Sequence, residues 1–245
     1  MSEIERIQQR YAVRDASSAF TSFWTLTNPV VLHLAQERER VALAMLAGQG
    51  VDLSSARILD VGCGAGGEFA NWLRWGAPLQ GLFGAELMLP RALAAQRVWG
   101  ARVVNASGAA LPFADASFDV VAQNVVFSSI IDDTLRKQVA AEMLRVLRPG
   151  GWLLWYDAAR TRAYTRAYTR AYTRNHTRNR DPHFLDVPES ALRALFPGVP
   201  LQLQRLTTHL GLLRRVHALL GARGMAALDI TGLFKTHLLA LGRKL

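Results

Sequence analysis

Residues 2 to about 50 place apolar and polar positions at helical spacing. The run Glu37-Arg38-Glu39-Arg40 predicts a polar face, with Val41, Leu43 and Leu46 opposite it, and Gly48 and Gly50 supply a stop. From 57 to 157 the pattern changes to short β-rich runs alternating with helical stretches. The strands fall at Arg57–Val61, Leu79–Ala85, Arg102–Asn105, Phe118–Gln123 and Trp152–Tyr156, with helices near 67–75, 90–99 and 133–147 between them. Pro90 opens the second of these helices, and Arg148-Pro149-Gly150-Gly151 closes the third. Such alternation argues for a parallel sheet covered on both faces. Further on, the pattern predicts a helix near 188–195, a strand at Gln202–Thr207, two short helical stretches and a last strand around His237–Leu241.

Between these regions lies a repeat. Thr161-Arg-Ala-Tyr recurs at Thr165–Tyr168 and Thr169–Tyr172, then decays through Thr173 and Thr177. A period of four is too short for a solenoid unit. In a helix the copies would stack Tyr164, Tyr168 and Tyr172 along one stripe; otherwise the tract is a basic loop, the reading favoured here.

With 245 residues, half apolar and a fifth charged, the chain is long enough for one large domain. No stretch approaches the ~18 apolar residues of a spanning helix, and Glu3, Glu5 and Arg6 stand where a secretory leader would be apolar. The lone Cys63 allows no internal disulfide, so a reducing, cytoplasmic setting is expected. The net charge is +10, but seven arginines (160, 162, 166, 170, 174, 178 and 180) sit in the repeat without an acid among them. The basic balance is therefore mostly a property of that tract.

Ile58 to Gly67 reads as a buried strand entering a glycine turn that opens a helix. Glycines there let the backbone turn sharply and approach a ligand, and the helix offers unpaired N–H groups beyond. The spacing, Gly62-x-Gly64-x-Gly66, differs from the usual dinucleotide turn, although Gly67 keeps that reading formally open. Glu86 ends the second predicted strand, where doubly wound folds place a carboxylate on ribose hydroxyls.

Four motifs in order carry a family resemblance: Asp60-Val-Gly-Cys-Gly-Ala-Gly, Glu86, Leu111-Pro-Phe-Ala-Asp-Ala-Ser-Phe-Asp-Val-Val and Glu142-Met-Leu-Arg-Val-Leu-Arg-Pro-Gly-Gly. Over about residues 55 to 157 the chain resembles class I S-adenosylmethionine-dependent methyltransferases. It is most similar to the branch holding quinone-biosynthesis and small-molecule enzymes (methyltransferase domain type 11). The resemblance implies an α/β, Rossmann-like, doubly wound seven-stranded sheet with an N-terminal helical lid and a late helical cap near 209–235. It divides a single domain, 1–245, into the lid (1–50), a cofactor-binding core (55–157), the Arg/Tyr loop (158–182) and C-terminal strands with their cap (183–245).

The resemblance also implies a cofactor set. Asp60 and the turn Gly62, Cys63, Gly64 and Gly66 would hold the methionine end of S-adenosyl-L-methionine, with S-adenosyl-L-homocysteine as product. Glu86 would take the ribose, and Leu87 would pack on the adenine. The family usually has Gly-Asp-Ala where this chain has Ala106-Ser107-Gly108, so Ser107 and the backbone of Gly108 and Ala109 would recognise the adenine. Gln123 would meet the methionine end. Ser128 and Ser129 replace histidines that often face the acceptor, so no ready-made base stands there. Tyr11 and Arg14 lie where relatives fold a helix over the cofactor.

An oxygen acceptor needs a base near its proton. Asp157, His176, His183, His209, His217 and His237 are the candidates. Asp157 at a strand's carboxyl end and His209 in the late segment are the catalytic pair expected, Asp157 reading equally as a turn cap. His237 reads as packed, His33 and His217 as helix residues, and Cys63 as a small loop residue. No metal is expected. The expected partner is a small-molecule acceptor, with an anionic one left open by the arginine tract; RNA and quinone or lipid acceptors are the alternatives.

Overall fold

The computed structural model describes residues 1–159 and 184–245. All seven tract arginines, together with His176 and His183, lie outside the described residues.

Three helices come first: α1 (Glu3–Asp15), α2 (Ser18–Phe23) and α3 (Pro29–Gly48). Each start has a chemical cause. Ser2 and Glu5 form a reciprocal capping box on α1, Ser17 caps α2, and Asn28 followed by Pro29 opens α3. Of the four residues expected as a polar face on α3, Arg40 is exposed and the other three are not. Glu37 is buried, receives Lys235 Nζ at 2.6 Å and accepts from Thr207 N at 2.9 Å. Arg38 is paired with Glu68 at 2.5 Å. The helix lies between the sheet and its neighbours, so charges on that side persist only because each meets an opposite partner.

The core alternates as expected: β1 (Ile58–Val61), α4 (Gly67–Arg74), β2 (Leu82–Glu86), α5 (Leu89–Trp99), β3 (Arg102–Asn105), β4 (Phe118–Asn124), α6 (Asp133–Val146) and β5 (Leu147–Ala158). Residues Leu79–Gly81, expected at the head of β2, form a 3-10 turn instead. There Gly81 sits against the carbonyl of Ala56, at a place where a Cβ would come within 2.4 Å of it. Then follow α7 (Glu189–Leu195), β6 (Leu201–Thr208), α8 (Leu210–Ile230) and β7 (Lys235–Arg243).

The seven strands lie in the order β3-β2-β1-β4-β5-β7-β6, parallel except for β7, which runs antiparallel to both neighbours. Every residue of β1 is buried, as a central strand covered on both faces requires. Leu59 and Val61 pack with Phe118, Met143 and Trp155 under α6 and α7. Ile58 points the other way, with Phe69, Trp72 and Leu154 under α3, α4 and α5. Asp60 shares that second face by the two-residue period of a strand.

The two short helical stretches predicted late in the chain are two helices that meet at Gly221 (φ 61°, ψ −155°) and are labelled together as α8. Leu213 and Met225 bury themselves against Val30 of α3. α8 therefore packs on α3 through Leu213 and Met225, while Leu219, Leu220 and Ile230 of the same segment stay exposed.

Candidate functional site

At the carboxyl end of β1 the chain leaves the sheet with Gly62 N and Cys63 N both donating to Ala85 O, at 2.7 and 3.3 Å. This hooks the turn onto the neighbouring strand. Gly62 has φ +72°, and a Cβ there would come within 2.5 Å of Val126 Cγ2. Gly66 caps α4 in the left-handed conformation (φ 80°), with the Trp99 ring at 2.5 Å from where its Cβ would be. Both positions require glycine for conformation and for space.

Glu86 ends β2 beside this turn. Its Oε2 accepts from Gly64 N and its Oε1 from Met88 N, each at 2.8 Å. A cleft of about 710 Å³ opens in front, lined by Gly62, Glu86, Leu87, Ser107 and Gly108 from the core and by Ile4, Ile7 and Tyr11 from α1. The segment after β4 holds α1 in place as a roof. Arg6 donates to Ser129 O at 2.6 Å, Glu3 accepts from Ile131 N at 2.6 Å, and the Tyr11 hydroxyl lies 2.9 Å from Ser129 Oγ. Arg91 also lines the cleft, with its guanidinium 4.5 Å from the Tyr11 ring centroid and bonded to Asp15.

Asp60 and Gln123 face a second, smaller space of about 360 Å³ on the other side of Asn124. Around it Glu68 receives Arg38 at 2.5 Å and Asn124 at 2.8 Å, and the Arg38 guanidinium lies 5.3 Å from the centroid of Tyr156. Asp60 Oδ2 is buried with no hydrogen-bond partner. Burial, and then the charge of Glu68, push the Asp60 carboxyl well above its ordinary range, with Arg38 acting against them.

The residues present fit S-adenosylmethionine. An orphaned acid at the glycine turn awaits a cation such as an ammonium, and a second acid at the end of β2 stands where diol hydroxyls are held. Leu87, Val126 and Val139 offer apolar walls for a flat ring.

Of the residues singled out by sequence, the structure brings Gly62, Glu86, Leu87, Ser107, Gly108 and Tyr11 to the cleft, and Asp60 and Gln123 to the adjoining space. Gly64 reaches the site through its amide on Glu86. Ala109 N donates to Ser107 Oγ at 3.2 Å, so it orders the serine rather than lining the cleft. Cys63 packs its thiol toward Gly84, and burial raises its pKa. Arg14 stacks behind Tyr11, 4.9 Å from the ring centroid.

Asp157 and His209 line neither space. Asp157 is fully buried and accepts from Ser128 N at 3.1 Å and Ala158 N at 2.8 Å; burial pushes its pKa up to about 6. His209 caps α8 by accepting from Leu212 N. His237 stacks on Tyr156 with ring centroids 5.0 Å apart, in keeping with a packed residue.

Sequence reasoning missed Arg38, Glu68, Asn124 and Tyr156. One signal was present for Arg38: Ala42, one helical turn later, leaves room on the same face and lines the same space.

Residues 59–155 match the family described as "Methyltransferase domain". An uncharacterized methyltransferase of Mycobacterium sp. (strain KMS) is 40% identical over 94 residues, 38% of this chain and 35% of that protein. The demethylmenaquinone methyltransferase of Deinococcus radiodurans is 35% identical over 113 residues, 44% of this chain and 45% of that protein. The aligned part thus spans less than half the length of these relatives. A SAM-dependent methyltransferase from Thermotoga maritima shares the fold across 98% of this chain and 99% of its own, with a TM-score of 0.56 at 16% identity.

Proposed function

With residues 59–155 belonging to the methyltransferase-domain family and S-adenosylmethionine as the cofactor of that family, we propose that this chain transfers a methyl group to an oxygen or nitrogen of a small molecule. The observation that carries the reading is enclosure. The α1 residues Ile4, Ile7 and Tyr11 roof the cleft whose floor is Gly62, Glu86 and Gly108. A roofed cleft of this kind suits a small acceptor.

When bound, S-adenosylmethionine supplies a sulfonium-activated methyl group open to in-line displacement. The chain's own residues bind and align. Glu86 is pre-set for diol hydroxyls by the amides of Gly64 and Met88. Asp60 provides negative charge for the ammonium, and Arg38, held by Glu68, stands beside it as a counter-charge for a carboxylate. Alignment of this kind contributes about 7–11 kcal/mol to a displacement.

Asp157 and His209 are both engaged in capping. Among the described residues none of the expected bases lines the cleft, which favours an acceptor whose nucleophile arrives unprotonated, such as a neutral amine or an acidic phenol-type hydroxyl. A quinone-type acceptor is the second reading. It is favoured by the apolar cleft residues Ile4, Ile7, Val125 and Ile130 and by the demethylmenaquinone methyltransferase among the relatives. An RNA acceptor would rest on the arginines of 160–180, outside the described residues.

The test is incubation with methyl-labelled S-adenosylmethionine and a host lysate fractionated into small molecules, lipid, RNA and protein, beside an Asp60→Ala control. Label in the small-molecule fraction that the control abolishes is the expected result. Label confined to RNA or protein would overturn the reading, and label in the lipid fraction would promote the quinone-type one.

A further inference from the structure

Two stretches far apart in sequence carry an exposed apolar surface with few acids. Residues 16–36 contain no Asp, Glu, Lys or Arg, yet Trp24 and Leu26 of this stretch are 46% and 57% exposed. In α8 and the turn after it, Leu219, Leu220 and Ile230 are 82%, 67% and 88% exposed, and Leu233 and Phe234 are exposed as well. Arg214, Arg215 and Arg223 are exposed on the same segment. Its one acid, Asp229, is occupied by Lys235 and Thr208, each at 2.7 Å.

The two stretches are joined. The Arg214 guanidinium lies 5.6 Å from the centroid of Phe23, and Val30 packs on Leu213 and Met225. A ladder of rings and cations then runs from this face to the cleft. Phe23 meets Trp24 at 5.2 Å, Trp24 meets Phe20 at 6.0 Å, and Arg14 stands over Phe20 at 4.4 Å and over Tyr11 at 4.9 Å. Tyr11 lines the cleft.

We propose that the face formed by α2, its following turn and α8 docks on an anionic phospholipid bilayer. Exposed leucine, isoleucine and tryptophan side chains suit the boundary between headgroups and acyl chains, and arginines keep their heads in the headgroup layer. Charge complementarity selects this occupant: a rim of exposed arginines whose one acid among the described residues, Asp229, is already paired fits anionic lipid. A second copy would set exposed arginines against their own kind. Among the described residues no helix is long and apolar enough to cross a membrane, so the attachment is peripheral. The proposal goes beyond methyl transfer and is read without turnover.

The experiment is co-sedimentation of the full chain with vesicles of phosphatidylcholine alone, and with about a third phosphatidylglycerol. Two variants are compared: Trp24→Ser/Leu219→Ser/Leu220→Ser/Ile230→Ser, and Arg166→Gln/Arg170→Gln/Arg174→Gln. The substituted apolar side chains are exposed, and an unchanged circular-dichroism melt checks the fold. The expected result is binding to the anionic vesicles that falls by about tenfold or more in the four-serine variant. Three results would overturn the proposal. One is no binding to either vesicle. Another is binding lost in the tract variant but unchanged in the four-serine variant. The last is a dimer in light scattering that the four-serine variant dissociates.

Discussion

Gly64 and Glu86 meet across the carboxyl ends of two adjacent parallel strands, the glycine amide donating to the carboxylate at 2.8 Å. One side chain thereby fixes both the turn after β1 and, through Met88 N, the entry to α5. Replacing Glu86 by Ala removes this clamp together with the acceptor for diol hydroxyls. Charge-assisted hydrogen bonds of this kind are worth about 1.5–3 kcal/mol each. The dissociation constant for S-adenosylhomocysteine, measured by calorimetry, should rise about ten- to a hundredfold.

Asp60 should separate stability from binding. Its carboxyl is raised well above the usual range by burial and by Glu68. A group whose folded pKa is raised holds a proton more tightly folded than unfolded, so its contribution declines as pH climbs past the ordinary carboxylate range. Asp60→Asn should therefore raise the melting temperature of the ligand-free protein near neutral pH. The same variant should lose much of the thermal shift that S-adenosylhomocysteine gives the parent.

Asp157 sets a pH window of its own. With its pKa pushed up to about 6 by burial, against an ordinary aspartate value of 3.8, its ionised form is disfavoured by about 3 kcal/mol. Stability from this group is complete at low pH and is lost as pH rises from about 4 through about 6. Melting temperatures recorded across that interval should show a downward component that Asp157→Asn removes. A slope unchanged in the variant would place the titration elsewhere.

Cys63 should be inert. Burial, and then Asp60 and Glu86, raise its thiol pKa and hold it protonated. Iodoacetamide at mildly alkaline pH should leave the native chain unmodified by intact mass and alkylate it fully in urea. Cys63→Ala should bind S-adenosylhomocysteine as the parent does.

The Lys235 ammonium is shared by Glu37 at 2.6 Å and Asp229 at 2.7 Å, all three largely buried. Lys235→Met leaves two carboxylates without their cation and should cost about 3–5 kcal/mol in urea unfolding. Adding Glu37→Gln to that variant should recover part of the loss.

What the sequence disclosed was what the chain does locally. The glycine turn and the strand–helix alternation are written within short windows and stand in the fold where they were expected, with Glu86 at the end of β2. Arg38 was hidden because its partners are distant in the chain. A run of Glu and Arg has the look of a solvated face until Glu68, Lys235 and Thr207 are brought beside it. Asp157 misled for the opposite reason. A carboxylate at the end of a parallel strand is well placed for catalysis, but Ser128 N of the turn at Phe127–Ser129 donates to one of its oxygens and Ala158 N to the other. The Tyr11 roof depended on Ser129, a position whose side chain meets α1 only in three dimensions.

The place of β7 has a consequence for the order of folding. It is synthesised after β6 yet lies between β5 and β6, and it pairs with both along most of its length. Until Lys235–Arg243 has left the ribosome, the parallel sheet ends in the bare edge of β5, and β6 has no strand to join. The nascent chain must carry that open edge until β7 emerges, and unpaired strand edges invite pairing with other chains. Sealing it is a late, long-range event, and β7 decides when the sheet becomes safe from its neighbours.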